Sequence, residues 1–500
     1  MSGSPISPLE KEKVTDHVEK YEAKYDNQLP PPPVLSEEEE RKLWRKIDLR
    51  LMPILCLMYL MSFMDRGNIG NAKLQGLTTQ LNLTGNQYNI ALTMFFIPYC
   101  IFECPANLLL KRFRPSIWLP SITVVWGIIM TLMGLVKTYP QLVGVRVCLG
   151  VAEAGLFPGV TFFLTLWYPQ NALQSRVGLF FGAATIAGAF SGLLAFGISF
   201  MNGIKGLEGW SWIFIIEGIT TVCVGLMAYL ILADFPATAS FLTPEERAFV
   251  VWKKKFDNSS VGEAEEFKLS YVLSAFTDWQ VWMHLLVYMS IVCPLYGITL
   301  FLPTIIDDFG QFSTADSQLL TVPPYIFATA VLGIFAYYSD KLLVRSPFVF
   351  ASLILCLVGF AINISNASSG AKYFGTFLVV AGAYAGFPGV VVWLSNNLSG
   401  SYKRGVGMAF HIGIGNFAGA IASNIFRTQD KPRFILGHGI ELMFVGIGLI
   451  TLPIIVLMYK RINRKRAEFM DRVAEGLEKM PSPEELRVLG DKSPDFQYIL

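Results

Sequence analysis

Leu51-Met52-Pro53-Ile54-Leu55-Cys56-Leu57-Met58-Tyr59-Leu60-Met61-Ser62-Phe63-Met64 runs straight into Asp65-Arg66-Gly67-Asn68-Ile69-Gly70-Asn71-Ala72-Lys73. How that junction is read decides the fold. The apolar part alone is too short for a bilayer, which takes about 20 residues of helix. A spanning helix must therefore carry Asp65 and Arg66 into the membrane. A charge at that depth costs about 2.5–3.5 kcal/mol on insertion scales, so it faces a cavity or a partner and has a task. The alternative is a helix that stops at Met64 and leaves the charges in a loop.

Outward from this stretch the composition agrees with a membrane. The 500 residues are 53% hydrophobic and 16% charged, with a mean hydropathy of +0.47, less charge than a soluble domain of this length exposes. A net charge of +2 gives no case for nucleic acid. The seven cysteines all lie in apolar stretches and read as small core residues, not as disulfides or metal ligands. The charged, Pro-rich N-terminus reads as an unstructured tail without a cleavable signal.

Twelve apolar segments are expected: 48–72, 87–110, 115–136, 140–168, 176–200, 210–233, 279–303, 317–339, 346–366, 371–397, 404–427 and 435–459. Ser36 with Glu39 reads as a capping box leading into the first, and Thr243-Pro244-Glu245-Glu246 as the start of a surface helix in a charged linker. The division expected is a tail at 1–40, a six-helix half at 41–233, a linker at 234–278, a second half at 279–460 and a tail at 461–500. Basic residues near span ends, among them Arg45-Lys46, Lys253-Lys254-Lys255 and Lys460-Arg461, place both termini in the cytoplasm. The sequons at Asn82 and Asn366 then face out.

The halves repeat. Phe157-Pro158-Gly159-Val160 recurs as Phe387-Pro388-Gly389-Val390, a shift of 388 − 158 = 230 residues, and the same shift carries Lys111 onto Lys341. The expected fold is therefore an all-α membrane protein of twelve transmembrane helices in two pseudo-symmetric six-helix halves, with a binding site between the halves near the midplane.

The duplication exposes an asymmetry of charge. The first half carries Asp65, Arg66, Glu103, Arg146, Glu153 and Glu217 within spans, whereas the shift takes Arg146 to Thr376 and Glu153 to Ala383. Arg146, Gly150 and Glu153 share one face of the fourth span. Asp65 and Arg66 are neighbours pointing about 100° apart, and Asp65 is near Asn68 one turn on. Arginine stays charged and grips a carboxylate with two parallel bonds, while burial disfavours the charged form of a carboxyl and suits it to proton exchange. Arg66 and Arg146 are the candidate anion ligands, and Asp65 and Glu153 the candidate proton carriers. Two buried ion pairs that only pin helices are the competing reading. Tyr99, Tyr296 and Asn416 fall near mid-span and are further candidate substrate contacts. Glu103 and Glu217 read as anchors of helix ends or loop networks, and His411 as a hydrogen-bonded core residue. No Walker A loop, metal-ligand set or cofactor motif is found.

Asp65-Arg66-Gly67-Asn68-Ile69-Gly70-Asn71-Ala72-Lys73-Leu74 closely resembles the first-helix signature of the anion:cation symporter family of the major facilitator superfamily. The run from Arg146 through Glu153 to Pro158-Gly159 resembles its fourth-helix signature. Gly209-Trp210-Ser211-Trp212 through Glu217-Gly218, and Trp393 with Asn396-Asn397 and Lys403-Arg404, resemble the fungal allantoate and nicotinate permease branch. The resemblance implies proton-driven uptake of small organic anions, with proton coupling at Asp65 and Glu153 and anion recognition at Arg66 and Arg146. The superfamily's loop signature is reduced at Asn107 to Arg114 and better kept at Gly333 to Arg345, which makes Lys111, Arg112, Asp340, Lys341 and Arg345 expected gating contacts. The fifth span lacks the Gly-Pro step of drug:proton antiporters, in favour of symport. The expected protein is a monomeric permease, not an enzyme, that imports a carboxylate such as nicotinate across the plasma membrane. Pantothenate, allantoate, tartrate and dipeptides are alternative substrates. A vacuolar or other internal membrane, an uncoupled uniporter, and a non-transporting receptor on the same fold are the alternative readings.

Overall fold

The computed structural model describes residues 30, 33–258, 274–309, 313–399, 401–431, 433–482, 486 and 489–500, without the side chains of 104, 107, 108, 110–112, 170–175, 254–258, 401 and 402. The expected unstructured tail falls mostly outside the described residues. Every regular element among them is a helix. In the first half these are α1 (Glu37–Leu74), α2 (Gln87–Arg112), α3 (Pro115–Met133), α4 (Tyr139–Glu153), α5 (Leu156–Trp167), α6 (Gln170–Ser199) and α7 (Gly209–Ile231). The linker carries α8 (Pro244–Asn258). The second half has α9 (Trp279–Asp307), α10 (Thr314–Leu319), α11 (Val322–Leu342), α12 (Ser346–Ile364), α13 (Ser369–Asn397), α14 (Ser401–Gly415), α15 (Phe417–Ile425) and α16 (Ile435–Ala474). Eleven segments among the described residues are long and apolar enough to cross a membrane; the 26-residue α2 brings the spans to twelve. Spans four, eight and eleven are each built from two helices end to end.

The helix α1 settles the reading of the opening stretch: it continues unbroken through the charges to Leu74, and the alternative that stops at Met64 is excluded. It starts at the expected capping box, in which the Ser36 hydroxyl accepts from the Glu39 amide and the Glu39 carboxylate accepts from the Ser36 amide at 2.9 Å. Its 38 residues span about 57 Å, nearly twice the hydrocarbon thickness, so its first turns stand clear of the membrane. There Lys46 pairs with Glu246 of α8 at 2.7 Å and Glu40 with Lys253 at 3.2 Å. The fourth span, expected to be continuous, breaks at Ala154-Gly155. Pro158 has no N–H to give the Ala154 carbonyl, and its ring crowds that carbonyl. The equivalent Pro388 sits inside an unbroken α13.

The packing repeats from half to half. Within the first, span 1 meets spans 5 and 6, span 2 meets 4, and span 3 meets 4 and 6; within the second, span 7 meets 11 and 12, span 8 meets 10, and span 9 meets 10 and 12. Between halves, span 1 lies on span 7, span 5 on span 8, and span 2 on span 11. Exchanging the halves maps these contacts onto one another, as a pseudo-twofold axis requires; the broad contact of span 7 with span 10, only slight between 1 and 4, departs from it. The seventh span is the centre of the assembly, with 89% of its most apolar window buried against 28% for the eighth. Leu179, Leu230, Ile326, Ile450 and Leu457 point outward to form part of an apolar belt. Cys148 and Cys223 are exposed on this outer surface, not in the core as expected, whereas Cys100, Cys293 and Cys356 are buried.

Contacts that join the halves are concentrated on the side away from the termini. A Cβ on Gly70 would lie 2.5 Å from the Leu300 carbonyl oxygen, and one on Gly192 would lie 2.7 Å from that of Gln318. Only glycine permits these approaches of α1 to α9 and of α6 to the α10–α11 junction. Asn89 donates to the Ser423 carbonyl at 2.6 Å, and Asn424 to Thr93 at 2.7 Å. Deeper, Phe181 meets Phe387 edge-on at 4.8 Å.

On the terminal side the last residues fold back onto the second half. Asp491 binds Lys403 at 2.7 Å, and Lys403 also pairs with Asp278. Tyr498 stacks on Tyr459 with centroids 4.5 Å apart, and Ile499 accepts from Trp393 at 2.8 Å and from Asn397 at 3.0 Å. Removing one partner of a buried ion pair costs about 3–5 kcal/mol. Asp491→Ala is therefore expected to lower the melting midpoint in detergent and to open the segment after Gly476 to protease; unchanged melting and protection would contradict the docking. Gly70→Val is expected to hold α1 off α9. The separation of spin labels at Thr79 and Asp316 then lengthens relative to the parent protein, and an unaltered distance distribution would contradict the closure.

Candidate functional site

The two neighbouring charges of α1 go separate ways. Arg66 points toward the second half; Asp65 points into the first, where its Oδ2 accepts from Trp126 Nε1 of α3 at 2.7 Å. Asn68, one turn beyond Asp65, faces α6 instead and accepts from Ser191 at 2.7 Å. The helical step of 100° separates adjacent side chains, so one short segment serves two environments.

Arg66 is held on several sides. Its Nε and Nη2 both donate to Glu153 Oε1, at 3.0 and 2.6 Å, and its Nη1 donates to Tyr296 of α9 at 3.2 Å. Its guanidinium carbon lies 4.8 Å from the Tyr99 ring centroid, 5.2 Å from that of Phe63 and 5.6 Å from that of Phe95. The ion pair is buried, with side-chain exposures of 6% and 0%. The Ser62 hydroxyl, one turn before Arg66, also donates to Glu153 Oε1, while Glu153 Oε2 is buried without a partner. Glu153 is the last residue of α4, where the helix dipole is unfavourable to an anion. A counter-cation or a proton is what makes a carboxyl tolerable there.

Arg146 is not paired in the same way. Its Nε donates to the Ala91 carbonyl at a long 3.4 Å, and its guanidinium lies 4.9 Å from the Phe95 centroid. Both Nη atoms are buried without a partner. Of the two ion pairs weighed from the sequence, one is formed and the second is not. The arginines lie against the same phenyl ring, and one of them has two charged donors in hand.

The second half answers with neutral groups. Tyr296 stands at 66 + 230, so the duplication sets it opposite Arg66 across the pseudo-twofold axis. Its hydroxyl donates to Asn416 Oδ1 at 3.4 Å, and Asn416 Nδ2 donates to Glu103 Oε2 of α2 at 3.3 Å. Asn416 sits at the break between α14 and α15. Thr299 and Tyr384 share a hydrogen bond of 2.8 Å a turn away. The structure thus brings Arg66, Glu153, Tyr99, Tyr296 and Asn416 together, with Arg146 beside them and Asp65 behind. Ser62, Trp126, Thr299 and Tyr384 were not singled out from the sequence; Ser62 at four residues before Arg66 was the one with a readable signal. Glu103 is no loop anchor but bridges the halves, and Glu217 is buried in the bundle instead of fixing a helix end. His411 is bonded to the His284 carbonyl at 3.2 Å.

The remaining candidates lie at the terminal side. Arg345 pairs with Asp340 at 2.7 Å and donates to Ser339, its amide donates to the Leu500 carbonyl, and Lys341 lies 5.9 Å from the Tyr337 ring centroid. These contacts stay within the second half and the tail. The side chains of Lys111 and Arg112 lie outside the described residues.

The chain is similar in sequence to fungal proteins named as transporters and in fold to solved transporter structures. The MFS-type transporter cnsO of Penicillium expansum is 35% identical over 100% of this chain and 99% of its own length. The high-affinity nicotinic acid transporter of Saccharomyces cerevisiae is 31% identical over 95% of this chain and 87% of its own. Among solved structures, a bacterial homologue of the human lysosomal transporter Spinster aligns with a TM-score of 0.61 at 14% identity, covering 80% of this chain and 95% of that one. The xylose transporter XylE of E. coli aligns at 0.59 and 14%, covering 82% and 97%. The family model described as Major Facilitator Superfamily matches residues 55–423. The chain is a multi-pass membrane protein and belongs to the Major Facilitator Superfamily.

Proposed function

We propose that this protein is a proton-coupled symporter that imports a small carboxylate, with nicotinate the first substrate to test. The observation that carries the reading is the mismatch of charged partners at the interface between the halves. Arg66 is saturated by Glu153, while Arg146 holds two buried Nη groups with no partner. A bound carboxylate supplies the missing acceptor at Arg146. It reaches Arg66 only when Glu153 lets go, and Glu153 lets go when it takes a proton. Proton and anion then bind together, and neither binds well alone, which is the thermodynamic content of symport. The nicotinic acid transporter of Saccharomyces cerevisiae, 31% identical, makes a pyridine carboxylate the natural probe, and the rings of Phe95 and Tyr99 beside the arginines suit an aromatic anion.

The cycle follows from the same pieces. With the halves open to the outside, a proton neutralises Glu153 and frees Arg66. The anion bridges Arg66 and Arg146, and Tyr296 and Asn416 close on it from the second half. The halves rock about the pseudo-twofold axis, the anion leaves on the other side, and Arg66 recaptures Glu153 as the proton departs. Asp65 is a second proton-holding group behind the arginines, and Asp340, Lys341 and Arg345, with Lys111 and Arg112, form the gate on the terminal side. On this reading the protein is a monomeric plasma-membrane permease; the basic residues at span ends support a cytoplasmic position for that side, with residues 1–40, the linker 234–278 and residues 461–500.

Two variants test the scheme in cells fed labelled nicotinate, pantothenate, allantoate, tartrate and a dipeptide. Glu153→Gln keeps the hydrogen bonds but not the charge. It is expected to exchange substrate across the membrane without accumulating it, and to become indifferent to an uncoupler. Proton-driven accumulation at the parental level would refute the role of Glu153. Arg146→Ala is expected to weaken apparent affinity by about 2 kcal/mol or more, roughly 30-fold, as loss of a buried charge-assisted contact does. An unchanged KM for every carboxylate tested would remove Arg146 from the site.

A further inference from the structure

The helices α1, α3 and α7 meet on the side of the first half away from the arginine pair. The α3 and α7 backbones are in close contact there: a Cβ on Gly218 would lie 2.4 Å from the Thr131 amide nitrogen and 2.7 Å from the Gly127 carbonyl oxygen. Within this tight wall two carboxyls are buried, Asp65 at 1% and Glu217 at 0% exposure. Trp126 Nε1 serves Asp65 Oδ2. Asp65 Oδ1, both Glu217 oxygens and the Thr221 hydroxyl have no partner. Asp65 meets α3 at Trp126, and Gly218, the neighbour of Glu217, meets it at Gly127, so three unpartnered carboxyl oxygens are buried in one three-helix junction. Two carboxyls in such a junction repel when both are ionised and can bond when one of them carries a proton.

The surroundings leave no other way to settle the charge. From α1 the nearest cation is Arg66, which is turned away and bonded to Glu153. From α4, Arg146 and Glu153 are charges of opposite sign whose hydrogen bonds go to other groups. From α3 the facing group is the neutral Trp126, and from α7 it is the neutral Thr221. Two bare carboxylates with one indole donor between them would each be left without the partner that a buried charge needs.

We infer that Asp65 and Glu217 share one proton as an acid–carboxylate pair, and that Glu217 is a positioning residue that sets when the proton at Asp65 is released. The shared proton bonds the two groups to each other; its departure leaves both ionised and repelling, a state that needs the positive charge of Arg66, one residue from Asp65, released from Glu153. The pair is thereby placed to sense, through α1, whether Arg66 is bound to Glu153 or to substrate. The existence of the pair does not depend on the proposed symport; its part in the transport cycle does.

Infrared spectroscopy of the full-length protein in detergent, titrated with pH, reads the pair directly. The parent protein is expected to show a protonated carboxyl band that Glu217→Gln removes, because the amide donates to Asp65 without needing a proton. Glu217→Asp is expected to keep a band with a displaced titration. In proteoliposomes the pH profile of nicotinate uptake by Glu217→Gln is expected to move by about one unit toward acid. Should Glu217→Gln fail to fold, Trp126→Phe removes the donor to Asp65 and is expected to move the titration of the same band. A band and a pH profile that neither Glu217→Gln nor Trp126→Phe alters would overturn the pair. A band lost in Glu217→Gln, with uptake by the parent protein indifferent to an uncoupler, would sustain the pair and defeat the symport reading. An unaltered band with uncoupler-sensitive uptake would do the reverse.

Discussion

The buried contact between Arg66 and Glu153 is the interaction on which the rest of the arrangement depends. It joins the first and fourth spans, and through Tyr296 it touches the seventh span of the other half. In a low-dielectric interior such a pair contributes little net stability compared with apolar packing, yet removing one member is costly. A pair of this kind is poorly suited to be mere glue and well suited to be exchanged. Any group that offers Arg66 an equal acceptor, or Glu153 a proton, shifts the balance.

The fold makes that exchange consequential by its symmetry. The contacts between halves run through the first and seventh spans on the axis, and through the matched crossings of fifth with eighth and second with eleventh. Glycines at 70 and 192 bring backbones together on the side away from the termini, and amide side chains such as Asn89 and Gln318 bond across the same closure. Around Arg66 the charged groups come from one half, and the other presents hydroxyls and an amide. In the proposed cycle, rocking of the halves changes access to the arginines while their charged partners move with them. The docked residues 489–500 brace the far end of the second half, which favours its movement as one body.

Much of this was legible in the sequence. The capping box at Ser36 and Glu39 and the helix start at Thr243 to Glu246 follow from local chemistry that tertiary packing does not override. The 230-residue shift carried the duplication, and in retrospect it also pairs Arg66 with Tyr296. Other features are not local. Adjacent residues diverge by 100°, but nothing in Asp65-Arg66 says which one faces the partner half. Pro158 breaks its span and Pro388 does not, although both sit in the same Phe-Pro-Gly-Val; the stretches differ just before it, Ala154-Gly155-Leu156 against Tyr384-Ala385-Gly386. Cys148 and Cys223 looked like core residues because a membrane-facing surface and a core share one composition. Glu217 was read as an anchor of a helix end or loop network, and its burial between helices depends on packing that its own stretch does not disclose.

The central claim is that an anion and a proton bind as a unit at Arg66 and Glu153. Calorimetric titration of the purified protein with nicotinate, repeated near neutral pH in two buffers of different ionisation enthalpy, measures the protons taken up per anion bound. The expected result is uptake of about one proton with each anion, lost in a protein lacking the Glu153 carboxyl. Saturable nicotinate binding with no proton uptake in either buffer would contradict the claim.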